Sequence, residues 1–213
     1  MYYVCYVLLY CIIFAFGAAI GSFLNVCIYR LPKEESLCTE QDYWNLPEGR
    51  RAELIDGVLY DMAPPSRVHQ DISGGFVQAF RNHIDMHGGL RKVYAAPFAV
   101  DLNADGRTWL EPDMVLVCDP SKLTERGCKG APDLVVEIAL PSSMRMDYIT
   151  KLGRYERAGV REYWIVDPAK QMTVVYMFDP CSKSVIQMYP FATEVPVGVY
   201  GGELKITVEK FLQ

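Results

Sequence analysis

Between residues 53 and 88, hydrophobic and polar positions first follow the pattern of two short strands and then the period of a helix. Residues 53–60 contain two short apolar runs joined by Asp56-Gly57. This dipeptide is a strong hairpin signal, because a type I′ turn needs positive φ at both central positions. Ser66 is a suitable N-cap, and apolar side chains recur after it at helical spacing as far as Gly88. The pattern predicts a hairpin followed by a long amphipathic helix.

The second half of the pattern predicts strands around a second helix. Residues 144–158 are amphipathic at helical spacing, and Gly159 is suited to end that helix. Residues 133–138 are apolar on both faces, as expected for a central strand that is covered on each side. Further strands are predicted over residues 93–102, 114–117, 163–166 and 172–176, with edge strands from about residue 185. The order predicts a mixed α/β fold with one central sheet flanked by helices.

The N-terminal stretch has a different character. Residues 1–29 contain no charged side chain, and a helix needs only about 20 apolar residues to cross a bilayer. Arg30 and Lys33 follow directly, so the positive-inside bias places the rest of the chain in the cytoplasm. We therefore predict one transmembrane helix within residues 3–29, a segment with its linker over residues 1–37, and a second domain over residues 38–213. A buried core helix is the alternative.

Composition and charge narrow the classes of function. The chain of 213 residues is 51% hydrophobic and has a net charge of −5. Without residues 1–37, 19 basic and 24 acidic residues remain. Nucleic-acid-binding proteins usually show a basic face, so this balance argues against tight nonspecific DNA binding. It does not exclude a site in which metal ions screen carboxylates from phosphate.

Several common binding motifs are missing from the sequence. No Gly-x-Gly-x-x-Gly follows a predicted strand and no phosphate-binding Gly-x-x-x-x-Gly-Lys-Ser/Thr is present, which disfavours a nucleotide-binding doubly wound fold. None of the seven cysteines forms a Cys-x-x-Cys pair. This argues against a zinc site and a disulfide framework, and reduced thiols fit a cytoplasmic domain.

Two carboxylates lie beside or within apolar strands, where contact with solvent does not account for a charged side chain. Asp113 directly precedes an apolar strand, and Glu137 interrupts another, where an unpaired charge is costly. Glu137 follows Asp113 by 24 positions, which allows a turn and a return to a neighbouring strand. Together they would form a hard oxygen site suited to Mg²⁺ or Mn²⁺. A buried salt bridge from Glu137 to Lys151 or Arg154 is the alternative.

A lysine on the second predicted helix is the candidate cation of the site. Lys151 follows Asp147 by four residues, so the two are helix neighbours. An ordinary surface pair is one interpretation. The other is that Lys151 lies over the carboxylates and offsets charge on a scissile phosphate.

The remaining candidates each have a structural interpretation beside the functional one. Glu53, beside the hairpin, could add a third carboxylate or be merely exposed. His69, in the first turn of the long helix, could assist the site or be a core-edge histidine. Asp133 is expected to be structural and Tyr155 to pack in the core.

Several ordered motifs resemble the Uma-two family of restriction-endonuclease-like proteins, within the PD-(D/E)xK nuclease superfamily. The resemblance runs from about residue 39 to the C-terminus. Besides Asp147 and Lys151, it rests on residues 46–57, 62–66 with His69-Gln70, 111–113, 131–138, 141–143 and 159–168.

This resemblance implies a restriction-endonuclease-like core. Asp113 and Glu137 would be the metal ligands, and Glu53 an accessory acid. Ala139 stands two residues after Glu137, where the superfamily usually has lysine, and the lysine of this family is matched instead by Lys151. Leu140 also replaces the serine expected before the following proline. Neither change removes a proposed ligand.

The N-terminus resembles an unrelated family. Residues 17–32 and 35–37 are similar to the first transmembrane segment of prepilin leader peptidases. The catalytic aspartates, later helices and cysteine pair of that membrane protease are absent from this sequence. The resemblance therefore implies no peptidase activity, and indicates a gene fusion or rearranged reading frame that supplies an anchor.

Two hypotheses follow for the second domain. The first is a Mg²⁺- or Mn²⁺-dependent endonuclease acting on nucleic acid, with DNA as the expected target. This hypothesis is compatible with a homodimer. The second is a non-catalytic module that binds nucleic acid or protein on the same fold. The acidic balance favours the second hypothesis, and the joint presence of Asp113, Glu137 and Lys151 favours the first.

The anchor gives a direct prediction. We expect the full chain to sediment with membranes and to resist alkaline extraction, and a variant lacking residues 1–29 to remain soluble, because that stretch supplies the apolar span. Ultracentrifugation of a cell lysate followed by immunoblotting measures both. A full-length chain that stays in the soluble fraction would reject the anchor.

Overall fold

The computed structural model describes residues 37–141, 143–179 and 183–213. Cys38–Gln213 forms one compact unit of mixed α/β architecture. No helix in these described ranges is long and apolar enough to cross a membrane. The predicted transmembrane helix, within residues 3–29, lies outside the described residues.

The hairpin forms where the sequence predicts it. After a short helix α1 (Glu40–Trp44), strand β1 (Ala52–Ile55) pairs antiparallel with β2 (Val58–Asp61). The turn residues Asp56 and Gly57 have φ values of 50° and 81°. This is the positive-φ pair that a type I′ turn requires. All four residues of β1 are buried, so the hairpin holds Glu53 inside the protein.

The long helix is also present as predicted. Helix α2 (Arg67–His87) begins at the Ser66 cap and ends at Gly88. The Ser66 side chain accepts a hydrogen bond from the backbone N–H of His69, which satisfies one of the free donors of the first turn. The apolar face of helix α2 is buried against one of the two sheets of the fold. The cap fixes the first turn of α2, and with it the side chain of His69.

Two six-stranded sheets replace the single predicted sheet. The remaining strands are β3 (Lys92–Ala95), β4 (Ala99–Asp101), β5 (Trp109–Leu110), β6 (Met114–Val117), β7 (Leu123–Thr124), β8 (Gly127–Lys129), β9 (Leu134–Ile138), β10 (Glu162–Asp167), β11 (Met172–Met177), β12 (Val185–Pro190), β13 (Val195–Pro196) and β14 (Lys205–Ile206). The first sheet has the order β2-β1-β5-β4-β8-β7, and the second β12-β11-β10-β9-β6-β3. Strands β13 and β14 form a separate pair.

The prediction of one strand over residues 93–102 is wrong. Pro97 lies between β3 and β4 and has no N–H to donate to a ladder, so the run breaks there. Strand β3 joins the second sheet and β4 joins the first. The chain therefore passes from one sheet to the other at this point. A hydrophobic pattern cannot distinguish one broken run from one long strand.

The second sheet positions both candidate acids. Strand β9 lies inside it, antiparallel to β6 and parallel to β10, as its apolar pattern on both faces predicts. Helix α2 covers one face with Phe76 and Phe80, which pack in a core with Trp164. The other face packs in a second core that includes Tyr155 and Tyr163. Glu137 is therefore held in a rigid strand between two hydrophobic layers.

The predicted helix over residues 144–158 is only partly α-helical. A π-helical turn (Met146–Lys151) comes first, and helix α3 (Leu152–Ala158) follows and ends at Gly159 in a left-handed conformation. A π-helical turn places one more residue in each turn than an α-helix does. Amphipathic spacing does not reveal such a turn, because the apolar positions still recur at nearly the same interval.

Adjacent glycines in α2 supply a matched test of the packing. We expect Gly74→Ala to raise the free energy of unfolding by about 1 kcal/mol, because alanine favours a helix interior and nothing lies within 4 Å of the new Cβ. We expect Gly75→Ala to lower it by about 1–3 kcal/mol, because its Cβ would overlap the Phe211 ring. Urea unfolding followed by tryptophan fluorescence measures both. Equal effects of the two substitutions would contradict the packing of Phe211 on α2.

Candidate active site

Asp113 directly precedes β6, and Glu137 lies in the adjacent antiparallel strand β9. Met114 of β6 pairs with Val136 of β9, which places Asp113, one residue before, opposite Glu137, one residue after. Asp113 Oδ2 accepts a hydrogen bond of 2.7 Å from the backbone N–H of Ile138. The β6–β9 register therefore brings together the two acids that the sequence singles out, although they are 24 positions apart in the chain.

Lys151 occupies the centre of the site. Its Nζ lies 2.9 Å from Glu137 Oε1, 2.8 Å from Glu53 Oε1 and 3.8 Å from Asp147 Oδ1. All four side chains are at least nine-tenths buried. The interpretation of Lys151 and Asp147 as an ordinary surface pair is therefore wrong, because the loop after β9 folds both residues inward. The salt bridge foreseen for Glu137 is made with Lys151, and Arg154 pairs with Asp56 instead.

Glu53 joins the site from the other sheet. Its Oε1 forms the salt bridge with the Lys151 ammonium and also accepts a hydrogen bond of 3.0 Å from the backbone N–H of Glu111. The Glu111 side chain is held in turn by Arg51 at 2.7 Å and by the hydroxyl of Tyr43 at 3.0 Å. Glu53 is thus not a merely exposed residue beside a turn. It is a fixed, buried partner of Lys151.

His69 contacts Asp113 from the first turn of α2. Its Nε2 lies 3.1 Å from Asp113 Oδ2, and its Nδ1 is buried without a hydrogen-bond partner among the described residues. Ser73, one turn later, donates a hydrogen bond of 3.4 Å to the backbone carbonyl of Asp113. His69 does lie at the edge of the core, but it also touches a candidate ligand. It therefore restricts the positions open to the Asp113 carboxylate.

Asp147 is fixed by the loop that precedes the π-helical turn. Its Oδ2 accepts a hydrogen bond of 2.6 Å from the Ser143 hydroxyl, and its backbone carbonyl accepts one of 3.1 Å from Tyr163. The side chain is 3% exposed. Asp147 thus adds an acidic group beside Lys151, but it belongs to the π-helical turn and not to strands β6 and β9.

Tyr155 has a role that sequence reasoning missed. It packs in the core as predicted, yet its hydroxyl also donates a hydrogen bond of 2.8 Å to Glu137 Oε1. Its position one turn after Lys151 was the available signal, because residues four apart on a helix share a face. Asp133 behaves as the structural residue expected, since it accepts a hydrogen bond of 2.7 Å from the backbone N–H of Cys118.

Burial and crowded charge shift the protonation equilibria of the cluster. Burial raises the pKa of the Glu137 carboxyl well above its usual range, against the opposing charge of Lys151. Burial also raises the pKa of Asp147. For the Lys151 ammonium, burial lowers the pKa, but the surrounding carboxylates raise it by more, so the net pKa lies well above its usual value. Lys151 therefore stays charged, and proton uptake on the acids relieves their mutual repulsion.

The cluster forms the floor of a cleft of about 820 Å³. Besides Glu53, Asp113, Glu137, Asp147, Lys151 and His69, its charged lining residues are Arg51, Asp61, Arg81 and Asp85. Carboxylates thus outnumber cationic side chains by six to three. A cleft of this size that ends on convergent polar groups has the form of a ligand site.

The donor groups fit a hard divalent cation. Glu137 Oε1 is bound by Lys151 and Tyr155, and Asp113 Oδ2 by His69 and a backbone N–H. The second oxygen of each carboxylate receives no hydrogen bond from the described residues. Three carboxylates around one ammonium also leave an excess of acidic groups. Both features suit Mg²⁺ or Mn²⁺, which prefer carboxylate oxygen.

The buried ammonium yields a stability prediction. We expect Lys151→Met to lower the free energy of unfolding by about 3–5 kcal/mol, because it strands carboxylates in the interior. The loss should shrink as the pH is lowered, since the stranded groups can then take up protons. Urea unfolding at several pH values measures this.

A surface lysine provides the control. Lys205 pairs with Glu194 at 3.6 Å, and both side chains are more than half exposed. Lys205→Met should therefore change the free energy of unfolding by only about 0–1 kcal/mol at any pH. Equal losses for the two lysines would contradict the buried cluster.

Comparison with solved structures gives a similar fold. A crystal structure from Anabaena variabilis, described as a "putative nuclease belonging to DUF820", matches with a TM-score of 0.64 and 20% sequence identity. The match covers 81% of this chain and 96% of that chain. At this identity the likeness shows the shared fold alone.

Comparison with protein families agrees with both resemblances seen in the motifs. Residues 15–44 are similar to the "Bacterial Peptidase A24 N-terminal domain", and no curated protein matches the chain. The longer match, over residues 39–195, is to the Uma2 family, described as "Putative restriction endonuclease". It contains Glu53, His69, Asp113, Glu137, Asp147 and Lys151. Because this match covers most of the sequence, the chain belongs to the Uma2 family.

Proposed function

We propose that residues 38–213 form a metal-dependent endonuclease that hydrolyses phosphodiester bonds of nucleic acid, with DNA as the expected substrate. The proposal rests mainly on one observation. Neighbouring strands bring Asp113 and Glu137 together, and the Lys151 ammonium lies 2.9 Å from Glu137. Family membership supports the same class of reaction. Two acids and a lysine at the floor of a cleft suit hydrolysis of a charged ester.

Asp113 and Glu137 are the proposed ligands of Mg²⁺ or Mn²⁺. Such an ion, when bound, lowers the pKa of a water ligand and offsets negative charge that develops on phosphate. Tyr155 and His69 hold one oxygen of each carboxylate, at 2.8 Å and 3.1 Å. These contacts orient the ligands before binding, and such outer partners strongly influence metal affinity.

Lys151 is the proposed catalytic cation. An ammonium group has three N–H donors, and Glu53 and Glu137 accept two of them at hydrogen-bond distance. Asp147 is more distant, at 3.8 Å. The third donor is therefore available to hold a water molecule or a phosphate oxygen at the cleft, which Lys151 lines. The two glutamates keep the lysine charged and fix its position.

The cleft provides polar groups for a polynucleotide above this floor. Arg51 and Arg81 can meet phosphate, while Gln70, Gln78 and Asn82 of α2 can donate to phosphate or to bases. The net charge of −5 remains unfavourable for tight binding without a metal. Binding of substrate is therefore expected to depend on the divalent ion as well as on these residues.

The N-terminal stretch supports a proposal about location. Residues 1–29 carry no charge and are followed by Arg30 and Lys33. We propose that they anchor the endonuclease to a membrane, with residues 38–213 on the cytoplasmic side. The enzyme would then act on nucleic acid close to that surface.

Cleavage assays on the full chain in mild detergent test the activity. We expect nicking of plasmid DNA with Mg²⁺ or Mn²⁺ and none with EDTA. Asp113→Asn, Glu137→Gln and Lys151→Met should each reduce the rate at least about 100-fold, because a metal site contributes several kcal/mol to transition-state stability and about 1.4 kcal/mol corresponds to a factor of ten. Single-stranded DNA and RNA substrates in the same assay define the target.

The control variant is Asp71→Asn. Asp71 lies on α2 in an exposed pair with Arg67, at 2.6 Å, and is not among the residues lining the cleft. It should cleave at the rate of the unmodified chain. Cleavage that survives both Asp113→Asn and Glu137→Gln, or no cleavage with any metal, would refute the enzymatic proposal. Retained DNA binding without cleavage would instead support the non-catalytic module.

A further inference from the structure

A second group of ligand-type side chains lies at the C-terminal end of α2. His83 and His87 are one helical turn apart, and Glu203 approaches them from the turn after a short 3₁₀ helix (Gly198–Tyr200). One ligand atom from each residue lies within 4.8 Å of the other two. His83 is buried, whereas His87 and Glu203 are exposed. An ion can therefore reach the group from solvent while one ligand is fixed by the core.

This group is separate from the candidate active site. His83 follows His69 by 14 residues on the same helix, which corresponds to about 21 Å along the axis at 1.5 Å per residue. None of the three residues is among those lining the cleft. The inference therefore does not depend on the proposed endonuclease activity.

The local contacts orient both imidazoles. His87 Nδ1–H donates a hydrogen bond of 2.9 Å to the backbone carbonyl of His83, which leaves Nε2 of His87 as a bare acceptor. A carbonyl that fixes the tautomer in this way is a common outer partner of a metal-bound histidine. The His83 ring packs against Tyr200, with centroids 4.3 Å apart, and against His87 at 4.1 Å. The two rings are thus held side by side with limited freedom.

We propose that His83, His87 and Glu203 bind a divalent transition-metal ion of the Zn²⁺ class. Two imidazoles and a carboxylate are ligands that Zn²⁺ accepts, and three protein ligands leave the fourth tetrahedral position for water. The ion would join the end of α2 to the turn that carries Glu203, and so fasten the C-terminal region to the helix. The sequence argument against a zinc site rested on cysteine spacing and does not apply to these residues.

The surrounding charges set the conditions for binding. Arg91 stacks over Tyr200 at 4.8 Å and opposes a cation, whereas Glu203 attracts one. Burial lowers the pKa of the His83 imidazole, which favours the neutral ring that a metal ligand must present. Affinity should fall in acidic buffer, because protons compete for both imidazoles.

Calorimetric titration with Zn²⁺ tests the site in the full chain in mild detergent. Cysteines are first blocked with N-ethylmaleimide, and excess Mg²⁺ is added to compete with Zn²⁺ for carboxylate oxygens elsewhere in the protein. We expect one equivalent of Zn²⁺ to bind and to raise the melting temperature, because a ligand of the folded state stabilises it. His87→Ala and Glu203→Gln should each weaken binding at least about 10- to 100-fold. Loss of a residue that only hydrogen-bonds a metal ligand already has an effect of that size, and these two residues are the proposed ligands themselves.

Exposed neighbours provide matched controls. Met86→Ala changes the adjacent helix residue, and Glu209→Gln removes another exposed carboxylate. Both should bind Zn²⁺ and gain thermal stability like the unmodified chain. No binding by the unmodified chain, or the same isotherm for all five proteins, would overturn the proposal. Because His87 and Glu203 are exposed, loss of folding is not expected to obscure the result.

Discussion

The arrangement of the site depends on one buried interaction, the Lys151 ammonium between Glu53 and Glu137. Glu53 belongs to the first sheet and Glu137 to the second, so this cation links two layers that have separate hydrogen-bond ladders. Burying such charges has a large desolvation cost, and apolar replacements often do as well or better for stability. The cluster is therefore better explained by the proposed chemistry than by a contribution to stability. Its geometry keeps a charged donor ready at the floor of the cleft.

The rest of the fold holds this cluster rigid. Strands β6 and β9 fix the separation of Asp113 and Glu137, and the N-terminal cap of α2 fixes His69. Hydrophobic cores on both faces of the second sheet prevent these strands from shifting. Because Glu137 lies in a strand and Asp113 directly precedes one, the sheet holds both acids in place, as the proposed metal site would require. Such preorganisation is what electrostatic stabilisation of a transition state requires.

Much of this architecture could be predicted from local patterns. The Asp56-Gly57 turn, the capped helix and the buried strand around Glu137 each depend on neighbouring residues, and each forms as predicted. The division into two sheets could not be predicted, because strand partners are set by long-range packing. Tyr155 was missed for a similar reason. Its position one turn after Lys151 places it on the same helix face. The sequence does not reveal what its hydroxyl contacts, and only the folded chain shows the hydrogen bond to Glu137.

The π-helical turn before α3 restricts how this site can change. It carries both Asp147 and Lys151, and each extra residue in a helix rotates everything after it by about 100°. One further residue inserted in regular helical winding before Lys151 would turn the ammonium away from Glu137 by about that angle, even with every functional side chain retained. The spacing between strand β9 and the lysine is therefore as much a part of the site as the residues themselves. Insertions and deletions in this segment should be more damaging than substitutions on its exposed face.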